Sequence, residues 1–299
     1  MVDLRVELAG LELRNPVVVA SGPLGVSLGL MKRAEEAGAA AITLKTATLR
    51  PREGHPNPVV YELPYGLLNS MGLPNPGAEE MGRLISEAKA VMRVPLIASV
   101  AAQSPREAEE VAERLRGADA LELNASCPHV RGLGAELMDD PQLVADIVSA
   151  LRSFGRPVFV KLSAHGDWIG VASRALGAGA SGLVAINTLK AMAIDVRAKC
   201  PVLGGVYGGL SGPAIHPVAV RVVYELHREF PDVPIIGVGG VETWVEAAEL
   251  ILAGATAVGV ATALRRGFHV IGEIVEGLRA YVAGEGLASI RELVGAAHR

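Results

Sequence analysis

Cysteine is almost missing from this chain: Cys127 and Cys200 are the only two in 299 residues. Two thiols cannot build the disulfide framework that small secreted domains rely on. Nor can they hold a four-thiolate iron–sulfur cluster within the chain. Lysine is scarce as well, with six against 22 arginines, so each lysine position is informative. Basic residues form no run and no stripe with aromatics, and the formal net charge is −4; nucleic acid is therefore not an expected partner. No apolar stretch reaches the ~18 residues of a membrane span. Met1-Val2-Asp3-Leu4-Arg5 also lacks a signal peptide's apolar stretch. No membrane association, a cytoplasmic location and no metal site are expected.

Half of the residues are hydrophobic, ample for a large core. The chain reads as four copies of one pattern. Each copy opens on a proline and a short apolar run: Pro16-Val-Val-Val-Ala, Pro95-Leu-Ile-Ala-Ser, Pro157-Val-Phe-Val-Lys and Pro234-Ile-Ile-Gly-Val. Proline is tolerated at the first residue of a strand. A segment rich in Ala, Glu, Leu and Arg follows and stops at Gly38, Gly117, Gly179 or Gly254, where glycine suits a left-handed helix cap. A second apolar run comes next, at Ala41, Ala120, Gly182 and Ala257. Four β-α-β units joined by further helices make eight parallel strands. The expectation is one closed (β/α)8 TIM barrel over residues 1–299. Residues 4–13 read as an N-terminal β-hairpin plugging its bottom. Gly177-Ala-Gly-Ala-Ser-Gly182 matches a dinucleotide pattern, but a helix precedes it and a strand follows, so it reads as a helix stop.

Long connections follow the second, fourth and sixth strands, at 46–75, 125–140 and 188–213. All leave from C-terminal strand ends, where such barrels place their sites. Ala20, Ser21 and Gly22 end the first strand and leave room for a ligand; Lys45-Thr46 ends the second, and Lys161 the fifth. An ammonium buried there is costly without an anionic or electron-rich partner. Of six asparagines, Asn57 and Asn75 are flanked by prolines and suit turns. Asn124 and Asn187 end the fourth and sixth strands, and Asn69 lies in the first long loop. Three amides at one mouth suit a flat ligand rich in C=O and N–H groups. Gly237-Val-Gly-Gly-Val241 and Ala261-Thr262-Ala263 follow strands seven and eight, a recurrent phosphate site in these barrels. Together with Lys161 they point to FMN ahead of a phosphorylated substrate. Cys127, followed by the stiffening Pro128, is open to three readings: base, nucleophile or inert core residue. Cys200, beside Pro201, reads as structural.

In order along the chain stand Ala20-Ser-Gly22, Lys45-Thr46, Asn69-Ser-Met-Gly-Leu73, Asn124-Ala-Ser-Cys-Pro128, Val160-Lys-Leu-Ser163, Ile186-Asn-Thr-Leu189, Gly208-Gly-Leu-Ser-Gly-Pro-Ala-Ile215 and Gly237-Val-Gly-Gly240. With these the chain resembles the dihydroorotate dehydrogenases over nearly its whole length. Cysteine at 127 resembles class 1, and Asn187-Thr-Leu-Lys-Ala-Met-Ala-Ile-Asp195 resembles the NAD-linked class 1B catalytic subunit.

The resemblance implies FMN-dependent oxidation of dihydroorotate to orotate in pyrimidine (UMP) biosynthesis, with Cys127 as base and hydride transfer to the flavin. It implies FMN contacts from Ser21, Lys45, Thr46, Ser99, Asn124, Lys161, Ile186, Gly212, Gly239, Gly240, Ala261 and Thr262. It implies substrate contacts from Lys45, Asn69, Ser70, Met71, Gly72, Leu73, Asn124, Asn187 and Thr188. It further implies a homodimer within a heterotetramer, with FAD and a [2Fe–2S] cluster on a partner subunit that passes electrons to NAD. The runner-up is a class 1A homodimer reducing fumarate. The chain departs from the family at His129 (commonly Asn), Ser99 (often Asn), Ala261 (often Gly) and His216 (often Lys). Dihydropyrimidine dehydrogenases share a Ser-Cys-Pro-His run, which keeps that activity as an alternative. A non-redox barrel for a phosphorylated metabolite is another.

Overall fold

The computed structural model describes residues 2–125 and 135–298, apart from the side chains of 135 and 136. Eight strands form a closed parallel barrel: β1 (Val17–Val19), β2 (Ala41–Thr43), β3 (Leu96–Val100), β4 (Ala120–Asn124), β5 (Val158–Leu162), β6 (Gly182–Ala185), β7 (Ile235–Val238) and β8 (Ala257–Val260). Each pairs with the next, and β8 returns to β1 in the register Val258↔Val17, Gly259↔Val18 and Val260↔Val19. The (β/α)8 expectation holds.

The strands are nearly all apolar because both of their faces are covered, by the packed interior and by helices. Pro16, Pro95, Pro157 and Pro234 stand just before β1, β3, β5 and β7. They donate nothing, yet their carbonyls accept from Val258, Ile42, Leu121 and Leu183 at 2.8–3.0 Å. Proline therefore costs the sheet no bond at a strand start.

Helices α1 (Leu28–Glu36), α2 (Ala78–Val91), α3 (Pro105–Arg114), α4 (Pro141–Arg152), α5 (Trp168–Gly177), α6 (His216–Glu229), α7 (Trp244–Leu252) and α8 (His269–Gly284) surround the barrel. Their starts are written into the sequence. Ser27, Ser104, Asp140 and Asp167 accept from backbone N–H groups in the first turns of α1, α3, α4 and α5. Thr243 and Glu246 form a reciprocal capping box on α7.

Three of the four expected glycine stops adopt positive φ: Gly38, Gly179 and Gly254. Gly117 does not. The carbonyls at the end of α3 are met instead by the Arg156 guanidinium, at 2.7 Å from Leu115 O and 3.2 Å from Ala112 O. A cation there also suits the helix dipole. Gly117 is needed for space, since a Cβ would lie 2.9 Å from Ile85 Cγ2.

The N-terminal hairpin pairs Val6–Leu8 with Leu11–Leu13 around Ala9 and Gly10, both at positive φ, as a two-residue hairpin turn requires. Glu7 and Ala9 border a cleft with Ser181, Pro234 and Thr256, the residues just before β6, β7 and β8. The hairpin thus sits at the N-terminal end of the barrel, as expected.

At the opposite end, the first and third long connections join. Val60–Leu63, Gly66–Asn69, Gly208–Ser211 and Leu189–Ala191 make one four-stranded antiparallel sheet. Cys200, expected to be structural, is exposed in a small pairing of Ile194–Asp195 with Cys200–Pro201. Most of the second connection, including Cys127 and His129, lies outside the described residues. Among the described residues no helix is long and apolar enough to cross a membrane.

The C-terminal segment closes the back of α7: Gly295 N donates to Ile251 O and Ala297 N to Leu252 O. His298 stacks on Tyr224 at 3.8 Å and meets His227 edge-on at 4.8 Å. Burial pushes the His227 ring below the ordinary histidine value, His298 adds to this, and Asp232 opposes it. The folded chain therefore resists a proton that the unfolded chain accepts near pH ~6.5. This contribution to stability is complete above that pH and is lost as pH falls toward the lowered folded value. We predict that the urea midpoint drops from pH 7.5 to 5.5 and that His227→Gln flattens the drop. An equal pH slope in that variant would exclude His227 as its source.

Candidate active site

The C-terminal ends of β1–β4 and β6 carry a continuous polar chain. Ser21 Oγ donates to Leu44 O at 2.8 Å and lies 3.5 Å from Thr46 Oγ1. Thr46 Oγ1 lies 3.0 Å from Ser99 Oγ and accepts from Asn124 Nδ2 at 3.3 Å. Asn187 Nδ2 donates to Asn124 Oδ1 at 3.2 Å, and Asn187 Oδ1 accepts from Thr188 N at 2.9 Å. Thr46, Ser99 and Asn124 are buried. Strand pairing is what joins them, because their strands are hydrogen-bonded neighbours or nearly so. In such a network each hydroxyl and amide satisfies the next, and each buried group left unpaired would cost about 1–3 kcal/mol.

Beside this chain opens a cavity. Ten of the expected residues line it: Ser21, Lys161, Ile186, Asn187, Thr188, Gly212, Gly239, Gly240, Ala261 and Thr262. Lys161 is buried on β5, directly opposite Asn124 in the strand register. Thr46, Ser99 and Asn124 reach the cavity through Ser21 and Asn187. Lys45, half-buried, follows β2.

The Asn69–Leu73 stretch lies apart from this cavity, at the end of the excursion sheet. Asn69 Nδ2 donates to Gly209 O at 3.2 Å. Ser70 is fully buried, with its hydroxyl 2.9 Å from His55 Nδ1 rather than on the cavity. Met71 carries the carbonyl that accepts from His55 N at 3.1 Å. Gly72 and Leu73 both have positive φ, so the loop turns sharply there.

Sequence reasoning overlooked Gly259 and His55. Glycine inside a strand signals close packing or close approach of a ligand. At Gly259 a Cβ would lie 2.6 Å from Val238 Cγ2 and 3.3 Å from Ala20 Cβ. Nothing in the local sequence marks His55, whose partners come from a hairpin formed later in the chain.

The cavity fits a phosphorylated flavin. Among the described residues, the backbone N–H groups of Gly239, Gly240 and Thr262 meet no protein acceptor. Behind the glycines the packing is tight: a Cβ on Gly239 would lie 2.7 Å from Ala219 Cβ, and one on Gly240 would lie 2.7 Å from His216 Cβ. The loop therefore presents bare backbone to the cavity, a cradle suited to an anion. At the other end, Lys161 and the amides offer the charged and neutral hydrogen-bonding groups that a flavin ring requires.

The model of the dihydroorotate dehydrogenase family matches residues 3–282. The Pyrococcus abyssi protein named dihydroorotate dehydrogenase B (NAD(+)), catalytic subunit, is 43% identical over 298 residues, covering 98% of this chain and 99% of that protein. A Methanosarcina mazei protein of the same name is 43% identical over 296 residues, covering 97% and 94%. An Aeropyrum pernix protein named putative dihydroorotate dehydrogenase A (fumarate) is 46% identical over 301 residues, covering 99% and 98%.

The hydroxyl of Thr46 is the hub of the polar chain. Thr46→Val keeps the shape but leaves Ser99 and Asn124 each one partner short. We predict a loss of about 1–3 kcal/mol in denaturant unfolding. An unchanged midpoint would mean that Ser99 and Asn124 find other partners.

Proposed function

The chain belongs to the dihydroorotate dehydrogenase family, and we propose that it oxidises dihydroorotate to orotate in pyrimidine (UMP) biosynthesis as a single FMN-binding barrel. The observation that carries this reading is the polar chain from Ser21 to Asn187, running beside a cavity that ends in the Gly239–Gly240 loop. Gly239, Gly240 and Thr262 would hold the phosphate. Ser21, Lys45, Thr46, Ser99, Asn124, Lys161, Ile186, Gly212 and Ala261 would hold the remainder of the cofactor. Bound FMN supplies a two-electron acceptor for the hydride that leaves the substrate.

The remaining work falls to the protein's own side chains. Asn69, Asn124 and Asn187 would orient the pyrimidine ring, with Lys45, Thr188 and the Ser70–Leu73 turn beside them. Cys127 Sγ, as thiolate, would take the proton from substrate C5. A thiol serves as base only when its pKa is lowered or the pH is raised. Lys45 and Lys161 would stabilise negative charge developing on the pyrimidine.

For the electron acceptor, the relatives named as NAD-linked catalytic subunits support class 1B: a homodimer joined by a partner subunit that carries FAD and a [2Fe–2S] cluster. The Aeropyrum relative, named for fumarate, supports the second reading, a class 1A homodimer that needs no partner. With fumarate as sole acceptor, the isolated chain turns over under the second reading and stays idle under the first.

Two outcomes are expected. The purified chain is yellow, and its flavin band bleaches when dihydroorotate is added without oxygen. A band that bleaches with dihydrouracil alone would give His129 the deciding role in substrate choice. A chain that takes up no flavin, even when FMN is supplied, would instead favour a barrel for a phosphorylated metabolite. Cys127→Ala keeps its flavin and loses most turnover near neutral pH, while Cys127→Ser works only at higher pH. Steady-state rates across pH check both variants, and wild-type turnover in Cys127→Ala would remove the thiol from the chemistry.

A further inference from the structure

His216 opens helix α6 directly behind the glycine loop and is buried. Its Nδ1 donates to the Gly239 carbonyl at 2.7 Å, and its Nε2 faces the Glu249 carboxylate on α7 at 3.1 Å. Both ring nitrogens therefore meet acceptors, and the ring is held from two sides. Its Cβ lies where a side chain on Gly240 would have to go. The imidazole ties together the start of α6, the loop after β7 and the middle of α7.

That contact fixes the direction of one peptide plane. The Gly239–Gly240 peptide is trans, and in a planar trans peptide the carbonyl and the N–H point opposite ways. With the Gly239 carbonyl pinned back against His216, the Gly240 N–H must point forward, into the cavity that Gly240 lines. Among the described residues no acceptor meets that N–H. Glycine at φ +142° and +69° can flip its peptide at little cost. Without a partner behind it, the loop would sample orientations that turn the donor away.

We propose that His216 is a positioning residue for anion binding: by holding the Gly239 carbonyl it aims the Gly240 N–H at the cofactor's phosphate. This rests on the flavin reading above and adds a residue outside the cavity wall that sets affinity for the phosphate end alone.

The test titrates full-length apoprotein with FMN and, separately, with riboflavin, which has the same ring system and no phosphate. Flavin fluorescence reports binding. His216→Ala is expected to weaken FMN by about tenfold, the equivalent of one hydrogen bond, and riboflavin by less than about twofold. Glu249→Ala, at a half-exposed position, leaves the ring in place but frees its far side; it is expected to weaken FMN alone, by about threefold. Should His216→Ala fail to fold, Glu249→Ala carries the test with the same two ligands. Equal losses for both flavins would reduce His216 to general support of the fold and overturn the proposal, as would unchanged FMN affinity. A wild-type chain that binds neither flavin overturns the flavin reading itself, an outcome visible before any variant is made.

Discussion

The pairing of β8 with β1 is the constraint on which the rest of this molecule depends. It brings Val258–Val260 alongside Val17–Val19 and turns a row of β-α units into a ring. Ser21 and Thr262, near opposite ends of the chain, then border one cavity. Parallel pairing throughout puts the carboxyl ends of all eight strands on a single face.

On that face the work is divided between two kinds of surface. The Gly239–Gly240 loop after β7 presents bare backbone, because α6 packs too close behind for any side chain. The ends of β1 to β4 and β6 present side chains, each satisfied by the next: Ser21, Thr46, Ser99, Asn124, Asn187. One surface suits an anion and the other a flat polar ring, and Lys161 stands on β5 opposite Asn124. The excursion sheet built from the first and third connections adds a rim. Its Asn69–Leu73 turn is secured from behind, by Ser70 against His55 and by Asn69 against Gly209.

Much of this was legible before any fold was known. The prolines at Pro16, Pro95, Pro157 and Pro234 marked strand starts, since a residue without an N–H is tolerated there. The caps Ser27, Ser104, Asp140, Asp167 and Thr243 were identified only in the structure. Three glycines marked helix ends. Gly117 looked like a fourth, but its helix is capped by Arg156, which stands next to Pro157 just before β5. Cys200, beside Pro201, looked structural, yet it lies on an exposed ribbon. The sheet joining Gly66–Asn69 to Gly208–Ser211 left no mark, because its partners are far apart along the chain.

By itself the sequence determined the alternation of strand and helix, the barrel, and most of the residue types at the mouth. Those are matters of periodicity and of local backbone preference, and neighbours in sequence settle them. Only the tertiary structure decided which polar groups meet: that Thr46 is the hub, that Ser70 turns inward to His55, and that His216 reaches back to the Gly239 carbonyl. Each of these contacts joins residues at least 15 apart along the chain, so its geometry exists only in the folded structure.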